Sequence, residues 1–169
     1  MAAQIGDVTI VSGALGNVLT FPVDDRTTSS QTETIKAGNP VTQDNASYVE
    51  IVVNGGPVNS TGLMVGIAHN ESTETSTVEG EVDVEIVVPF VTIMRARATT
   101  ATNIDTAAEL LTVKFDAVAF DNTSNVITID EDEGDDPNEH GLVIVGGDIN
   151  KGTLDFYLKP LASVFGNNI

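Results

Sequence analysis

Few side chains in this sequence could carry a reaction. His69 and His140 are the only imidazoles, and a serine-type hydrolase needs one beside a nucleophile and an orienting acid. No G-x-S-x-G elbow is present to supply that nucleophile. Each histidine sits beside Asn or Glu in a turn-forming stretch, so exposed loop histidines are expected. Paired carboxylates could serve a glycosidase, but among 25 acidic residues some pair is always close, so the pairing carries no information. Sugar-binding enzymes also present aromatic rings, and the chain has no Trp, 2 Tyr and 6 Phe. The Gly-Gly pairs at 55–56 and 146–147 lack the lysine and following helix of a phosphate loop. Without cysteine there are no disulfides, zinc–thiolate sites, iron–sulfur clusters or thiol catalysis. The expectation is a protein that is not an enzyme and needs no cofactor.

The densest chemistry is the acidic run from Asp130 to Glu139. Calcium takes six to eight oxygen ligands, and crowded carboxylates repel one another unless screened. The EF-hand register fails, because its fifth position falls on Gly134 and its invariant glycine on Asp135. No metal is expected and the run reads as a solvated loop; were calcium to bind, Asp130, Asp132, Asp135 and Asp136 would supply the oxygens. Arg95 and Arg97, at i and i+2 of one strand, project from the same face. They pair internally or meet an acidic partner surface. Four N-x-[ST] sequons, at Asn45, Asn59, Asn70 and Asn122, read as accidents of a Ser/Thr/Asn-rich surface.

The charge balance sets the partners. With 25 acids against 7 basic residues, the formal charge is −18. Phosphate backbones require clustered Lys and Arg, so nucleic acid is excluded as a partner, and anionic membranes are disfavoured by the same sign. Like-charged copies stay apart in solution. The N-terminal stretch has no basic residue before its apolar part, and Gly, Asp, Ser and Asn interrupt it, so neither a signal peptide nor a membrane span is expected there.

The elements that would position these residues are mostly strands. Glu81-Val82-Asp83-Val84-Glu85-Ile86 alternates charged and apolar residues, as does Thr153 to Lys159, which describes strands with one dry face. Val49–Val53, Leu63–Ala68 and Val91–Ala98 are further strands, and Leu142–Val145, apolar on both faces, predicts a central, fully covered one. Asn122-Thr123-Ser124-Asn125 predicts a hairpin turn. Thr106-Ala107-Ala108-Glu109 has capping-box spacing, predicting a short helix over 106–112 whose apolar face, Ala107, Leu110, Leu111 and Lys114/Phe115, plugs the end of a barrel. Residues 24–34 hold no apolar side chain and read as a polar linker. Residues 1–32 are thus an N-terminal arm or edge strands plus linker, 33–160 a β-rich domain, and 161–169 a C-terminal tail. The fold class is all-β, an antiparallel sandwich or small barrel, with one short helix and extended terminal arms.

An ordered series of segments carries a resemblance. It runs through Glu33-Thr34-Ile35-Lys36-Ala37-Gly38-Asn39-Pro40-Val41, Gly66-Ile67-Ala68 and Arg95-Ala96-Arg97-Ala98-Thr99-Thr100. It continues through Asp135-Asp136-Pro137-Asn138-Glu139-His140-Gly141-Leu142-Val143-Ile144 and Gly152-Thr153-Leu154-Asp155-Phe156. In order and spacing, from about residue 33 to 160, the chain resembles the head decoration (auxiliary, or cement) proteins of tailed bacteriophages. The resemblance implies a compact β module, made in the host cytoplasm, that sits on the outer virion surface. It would bind the major capsid protein and stabilise the expanded shell as a homo-oligomer, a trimer being favoured. Ile5, Val8, Ile10, Arg95 and Arg97 are the candidate capsid or subunit contacts. The alternative is a β-sandwich adhesion or glycan-binding module, with or without dependence on calcium.

Overall fold

A computed structural model describes residues 8–13, 17–23, 33–43, 48–58, 62–75, 77–132 and 140–165. In chain order its strands are Thr9–Ser12 (β1), Val18–Pro22 (β2), Glu33–Ile35 (β3), Pro40–Gln43 (β4), Val49–Ile51 (β5), Met64–Ala68 (β6) and Ser72–Glu74 (β7). Then come Glu81–Ile86 (β8), Ile93–Arg97 (β9), Ala117–Thr123 (β10), Val126–Asp130 (β11), Leu142–Asp148 (β12) and Thr153–Leu158 (β13). The fold is all-β and antiparallel, with one short α-helix.

Two sheets carry the architecture. The first runs β1-β9-β13-β12-β10-β11, and the second β2-β8-β6-β4-β5; β3 and β7 form a separate ribbon. The second sheet curls until its end strands meet, and the first closes through β9, the neighbour of its end strand β1. Ala98, just past β9, bridges Ile129 of β11, and the Thr99 N–H donates to the Ile129 carbonyl at 2.8 Å. Val23, just past β2, bridges Val49 of β5. Twisted strands with a dry inner face close in this way because closure removes exposed edges.

Two cores result. The inner face of the first sheet contributes Met94, Phe120, Ile129, Leu142, Phe156 and Leu158, among others, and meets Met64 and Ile67 of β6. Phe120 and Phe156 stack edge to face, 5.6 Å between centroids. The second core lies within the second sheet, where Val41, Val49, Val65, Val82 and Val84 gather with Val23, Ile35 and Ala68. Strand β6 serves both cores and is buried along its whole length. It lies so close to β8 that a Cβ at Gly66 would stand 2.0 Å from the Glu85 carbonyl oxygen. β6 is thus covered on both faces along its whole length. In β12, predicted to be so, Leu142 and Ile144 are buried but Val143 and Val145 face a half-open side.

The alternating segments behave as their period dictates. Glu81–Ile86 is β8 over its full predicted length, with Val82 and Val84 inside. The hairpin β10–β11 turns on Ser124 and Asn125, both with positive φ (56° and 62°), as a two-residue primed turn requires.

The helix Ala107–Thr112 (α1) is capped as predicted. Thr106 Oγ1 accepts from the Glu109 N–H at 3.2 Å, and Glu109 Oε2 accepts from the Thr106 N–H at 3.0 Å. Its predicted apolar face, however, is not a plug. Leu110 packs against the first core, but Ala107 is exposed, and Leu111 and Phe115 are 68% and 70% exposed. A helix of under two turns can lay only one stripe on the body, and Leu110 and Val113 take it. The buried anchor of this corner is Ile104, in the preceding 3₁₀ turn Ala101–Ile104.

The described part of the first 23 residues is edge strand rather than arm. β1 lies on β9 and β2 on β8. Val8 is 1% exposed inside the first core, its N–H donating to the Gly38 carbonyl at 2.8 Å, and Ile10 packs on the same core. Of the predicted linker, 24–32 lie outside the described residues, whereas Glu33 and Thr34 belong to β3. The start of the predicted C-terminal tail is docked as well: Ser163 is buried and bridges Met64, and the Val164 N–H donates to the Met64 carbonyl at 3.1 Å. Residues 166–169 lie outside the described residues.

Truncating Ile104 to alanine should cost about 2–5 kcal/mol of stability, and Leu111→Ala no more than about 0.5 kcal/mol. Urea denaturation of the two variants checks the assignment. Equal losses would mean that Ile104 is not the anchor.

Candidate functional site

The outer face of the first sheet gathers the residues that sequence reasoning singled out. In the β9–β13 register, Arg95 stands opposite Asp155 and Arg97 opposite Thr153. Arg95 donates through Nε to Asp155 Oδ1 at 2.6 Å and through Nη2 to Oδ2 at 2.8 Å, a bidentate fork. The bond to Asp155 raises the Arg95 pKa further above its usual value, against the opposing effect of burial. Arg95 is therefore paired within the chain. Arg97 has no such partner; its Nε is buried and meets no hydrogen-bond acceptor among the described residues.

Beyond these rungs the same face turns apolar. Phe90, in the turn after β8, is 54% exposed and meets Tyr157 of β13 edge to face, with centroids 6.4 Å apart. Its N–H donates to the Leu158 carbonyl at 3.1 Å, which fixes the turn to the sheet. Val143 of β12 lies opposite Tyr157 in register, and Val91 beside Phe90 is exposed. The sequence signal for this row was the apolar pair Phe90-Val91 directly after Pro89, where a turn leaves little to bury. Of the other candidate contacts, Val8 is enclosed in the core and offers no surface to a neighbour, Ile10 is half-buried against that core, and Ile5 lies outside the described residues.

The head of the acidic run is a clasp. Glu131, 6% exposed, accepts from the Thr99 N–H at 3.0 Å, the Thr100 N–H at 2.9 Å and Asn103 Nδ2 at 3.2 Å. These bonds tie the end of β11 to the corner after β9. Asn103 also donates to Asp132, and the Asp132 N–H donates to Asp130 Oδ1 at 3.1 Å. Asp130 and Asp132 thus serve local backbone and amide donors, while Asp135 and Asp136 lie outside the described residues. Among the described residues no group of three or more His, Asp or Glu is arranged to hold a metal ion. Burial pushes the Glu131 carboxyl above the usual glutamate range, with the Asp132 charge adding to it; the backbone N–H bonds pull the other way without cancelling the shift.

The histidines divide. His69 is a surface residue, its Nε2 2.8 Å from Glu85 Oε2. His140, predicted to be exposed, is 7% exposed, because its backbone bridges Val58 and draws the ring inward. Its Nδ1 lies 3.2 Å from the Ala117 carbonyl, which only accepts, so Nδ1 carries the proton. Lys159 Nζ donates to the His140 carbonyl at 2.8 Å. A surface ring in contact with a carboxylate and a ring bonded to backbone both read as structural histidines.

No protein-family model matches the chain, and no curated protein or solved structure is significantly similar to it.

Replacing Glu131 by alanine strands two backbone N–H groups and should cost about 1–3 kcal/mol. The glutamine variant tests the ionisation. A carboxyl whose folded pKa is raised favours the folded state while protonated, and that contribution is lost as pH rises through the raised value. On acidification from neutrality toward the ordinary value of 4.5, wild type should therefore gain stability relative to Glu131→Gln. Denaturant midpoints across that range check this, and a pH-independent difference would contradict it.

Proposed function

We propose that this chain is a structural virion protein that binds the outside of an expanded tailed-phage capsid and stabilises the shell as a homo-oligomer. The observation that carries the reading is the outward apolar row Phe90–Tyr157–Val143 on a sheet closed upon itself. A clamp needs no pocket or reacting group. It needs a stiff body, an exposed anchor that loses water on docking, and several copies acting together. Aromatic anchors fixed in position supply most of the energy of such contacts, and multivalent attachment to a lattice lets each one be modest. The resemblance over residues 33–160 supports the capsid as the partner. The charge of −18 supports it too, by keeping free oligomers from associating further until a complementary surface gathers them.

Purified protein should bind expanded shells and not unexpanded ones, with light scattering giving a multiple of the chain mass. Phe90→Ala combined with Tyr157→Ala should weaken binding by about 2 kcal/mol, roughly 30-fold. Wild-type protein that does not bind expanded shells, or virions equally resistant to internal pressure without it, would sink the proposal.

A further inference from the structure

We infer that Phe115 is a second anchor of the docking face and that it enters an apolar socket with a carboxylate at its rim, presented by a partner protein; this rests on reading the Phe90 row as a docking surface. Four non-glycine residues among the described ones have positive φ. Ser124 and Asn125 make the hairpin turn, and the other two are Phe90 (55°) and Phe115 (76°), both more than half exposed. A bulky side chain in the left-handed region crowds its own backbone, and glycine relieves that strain. At Phe115 the local geometry calls for glycine. Its N–H donates to the Ile144 carbonyl at 2.8 Å, while the Ile144 N–H donates to the Asp116 carbonyl at 3.2 Å. Two residues thus face one, in a bulge whose left-handed first position suits glycine. A buried ring could offset such strain by packing, but a ring left in water does not. Strain kept at an exposed aromatic points to a use for the ring.

The two rings stand at matching places. Phe90 precedes β9 and is bonded to the Leu158 carbonyl of β13, whereas Phe115 precedes β10 and is bonded to the Ile144 carbonyl of β12. In the order β9-β13-β12-β10 they flank the central strand pair, three strand spacings or about 14 Å apart across the strands. Between them Tyr157 and Val143 stand opposite each other. Lys114 defines what can cover the far end. Its Nζ lies 5.3 Å from the centroid of the Phe115 ring. Among the described residues it forms no ion pair, while Arg95, Lys151 and Lys159 each grip an oxygen of their own chain. A partner that buries Phe115 also strips water from this ammonium, and a desolvated charge without an acceptor is costly. The socket must therefore bring an acceptor, and a carboxylate forms the strong, charge-assisted bond. A chain of charge −18 is repelled by anionic membranes, so the acceptor belongs to a protein.

Binding to expanded shells and melting temperature, measured on one set of variants, decide the matter. Phe115→Gly should weaken binding about tenfold. It should not lower the melting temperature, because it removes an exposed ring and a strained left-handed side chain together. Lys114→Gln should also weaken binding, by a factor that shrinks as salt is added, and Lys114→Arg should retain it. Val78→Ala, at an equally exposed apolar residue between β7 and β8, should leave binding unchanged. Shells that hold wild type and Phe115→Gly equally overturn the second anchor and leave the Phe90 row standing. A drop in melting temperature on Phe115→Gly makes the ring structural and overturns it too. Equal binding by wild type and Lys114→Gln, or equal losses in Lys114→Gln and Lys114→Arg, removes the carboxylate. Wild type taken up by neutral phosphatidylcholine vesicles, with uptake lost in Phe115→Gly, makes the ring a membrane anchor and overturns the protein socket. Shells that ignore the wild type overturn both this inference and the docking reading beneath it.

Discussion

Between Met64 and Ala68 the chain has two hydrophobic cores to fill at once, and every other strand is placed around that demand. Met64 and Ile67 point into the core shared with the first sheet, Val65 and Ala68 into the core of the second. Gly66 lets β8 approach to a distance that no side chain allows. Such a strand has no wet face on which to tolerate change, and a shift of one residue would exchange its two inner sets. The first sheet packs on one side of β6, β4 and β8 flank it, and even the start of the C-terminal tail pairs with Met64.

Around this centre the scarce cations act as staples. Arg95 grips Asp155, Lys151 grips Asp148, and Lys159 reaches the His140 carbonyl. Each joins segments within or beside the β12–β13 pair, so a large part of the positive charge is spent on one region of the first sheet. The acids are mostly left to the surface. Glu74 and Glu131 are buried exceptions, and Glu131 is taken inside where Thr99, Thr100 and Asn103 supply donors it can accept from. Its folded state accepts a desolvation cost to close the seam between β11 and β9, the same seam that the Ala98–Ile129 bridge spans.

What the sequence disclosed was local. The alternation of Glu81–Ile86, the capping box at Thr106 and Glu109, and the turn at Ser124-Asn125 depend on residues within a few positions of each other, and all three are found. What it concealed was decided by distant partners. His140 looks like a loop residue until Val58 bridges it. Leu111 and Phe115 look like a core stripe until β10 begins so soon after the helix that Leu110 and Val113 suffice. The apolar residues at 8–23 announce strands but not the sheets that receive them. β7, Ser-Thr-Glu, has no apolar pattern at all and exists because β3 pairs with it. The candidate site was half legible: the spacing of Arg95 and Arg97 put them on one face, but only the register revealed that Asp155 answers one and Thr153 the other.

That register bears on how a docking surface stays usable. An apolar row such as Phe90, Tyr157 and Val143 invites aggregation on a sheet with free edges, because exposed strands recruit strands as readily as a partner does. Closing both sheets on themselves removes much of that invitation while leaving the side chains displayed. Anchoring the Phe90 turn to the Leu158 carbonyl holds the ring over Tyr157 before any partner arrives, so less side-chain entropy is lost on contact. Closure, clasp and anchored turn thus act in one direction: they turn a small acidic β-body into a rigid face whose recognition depends on a few fixed side chains.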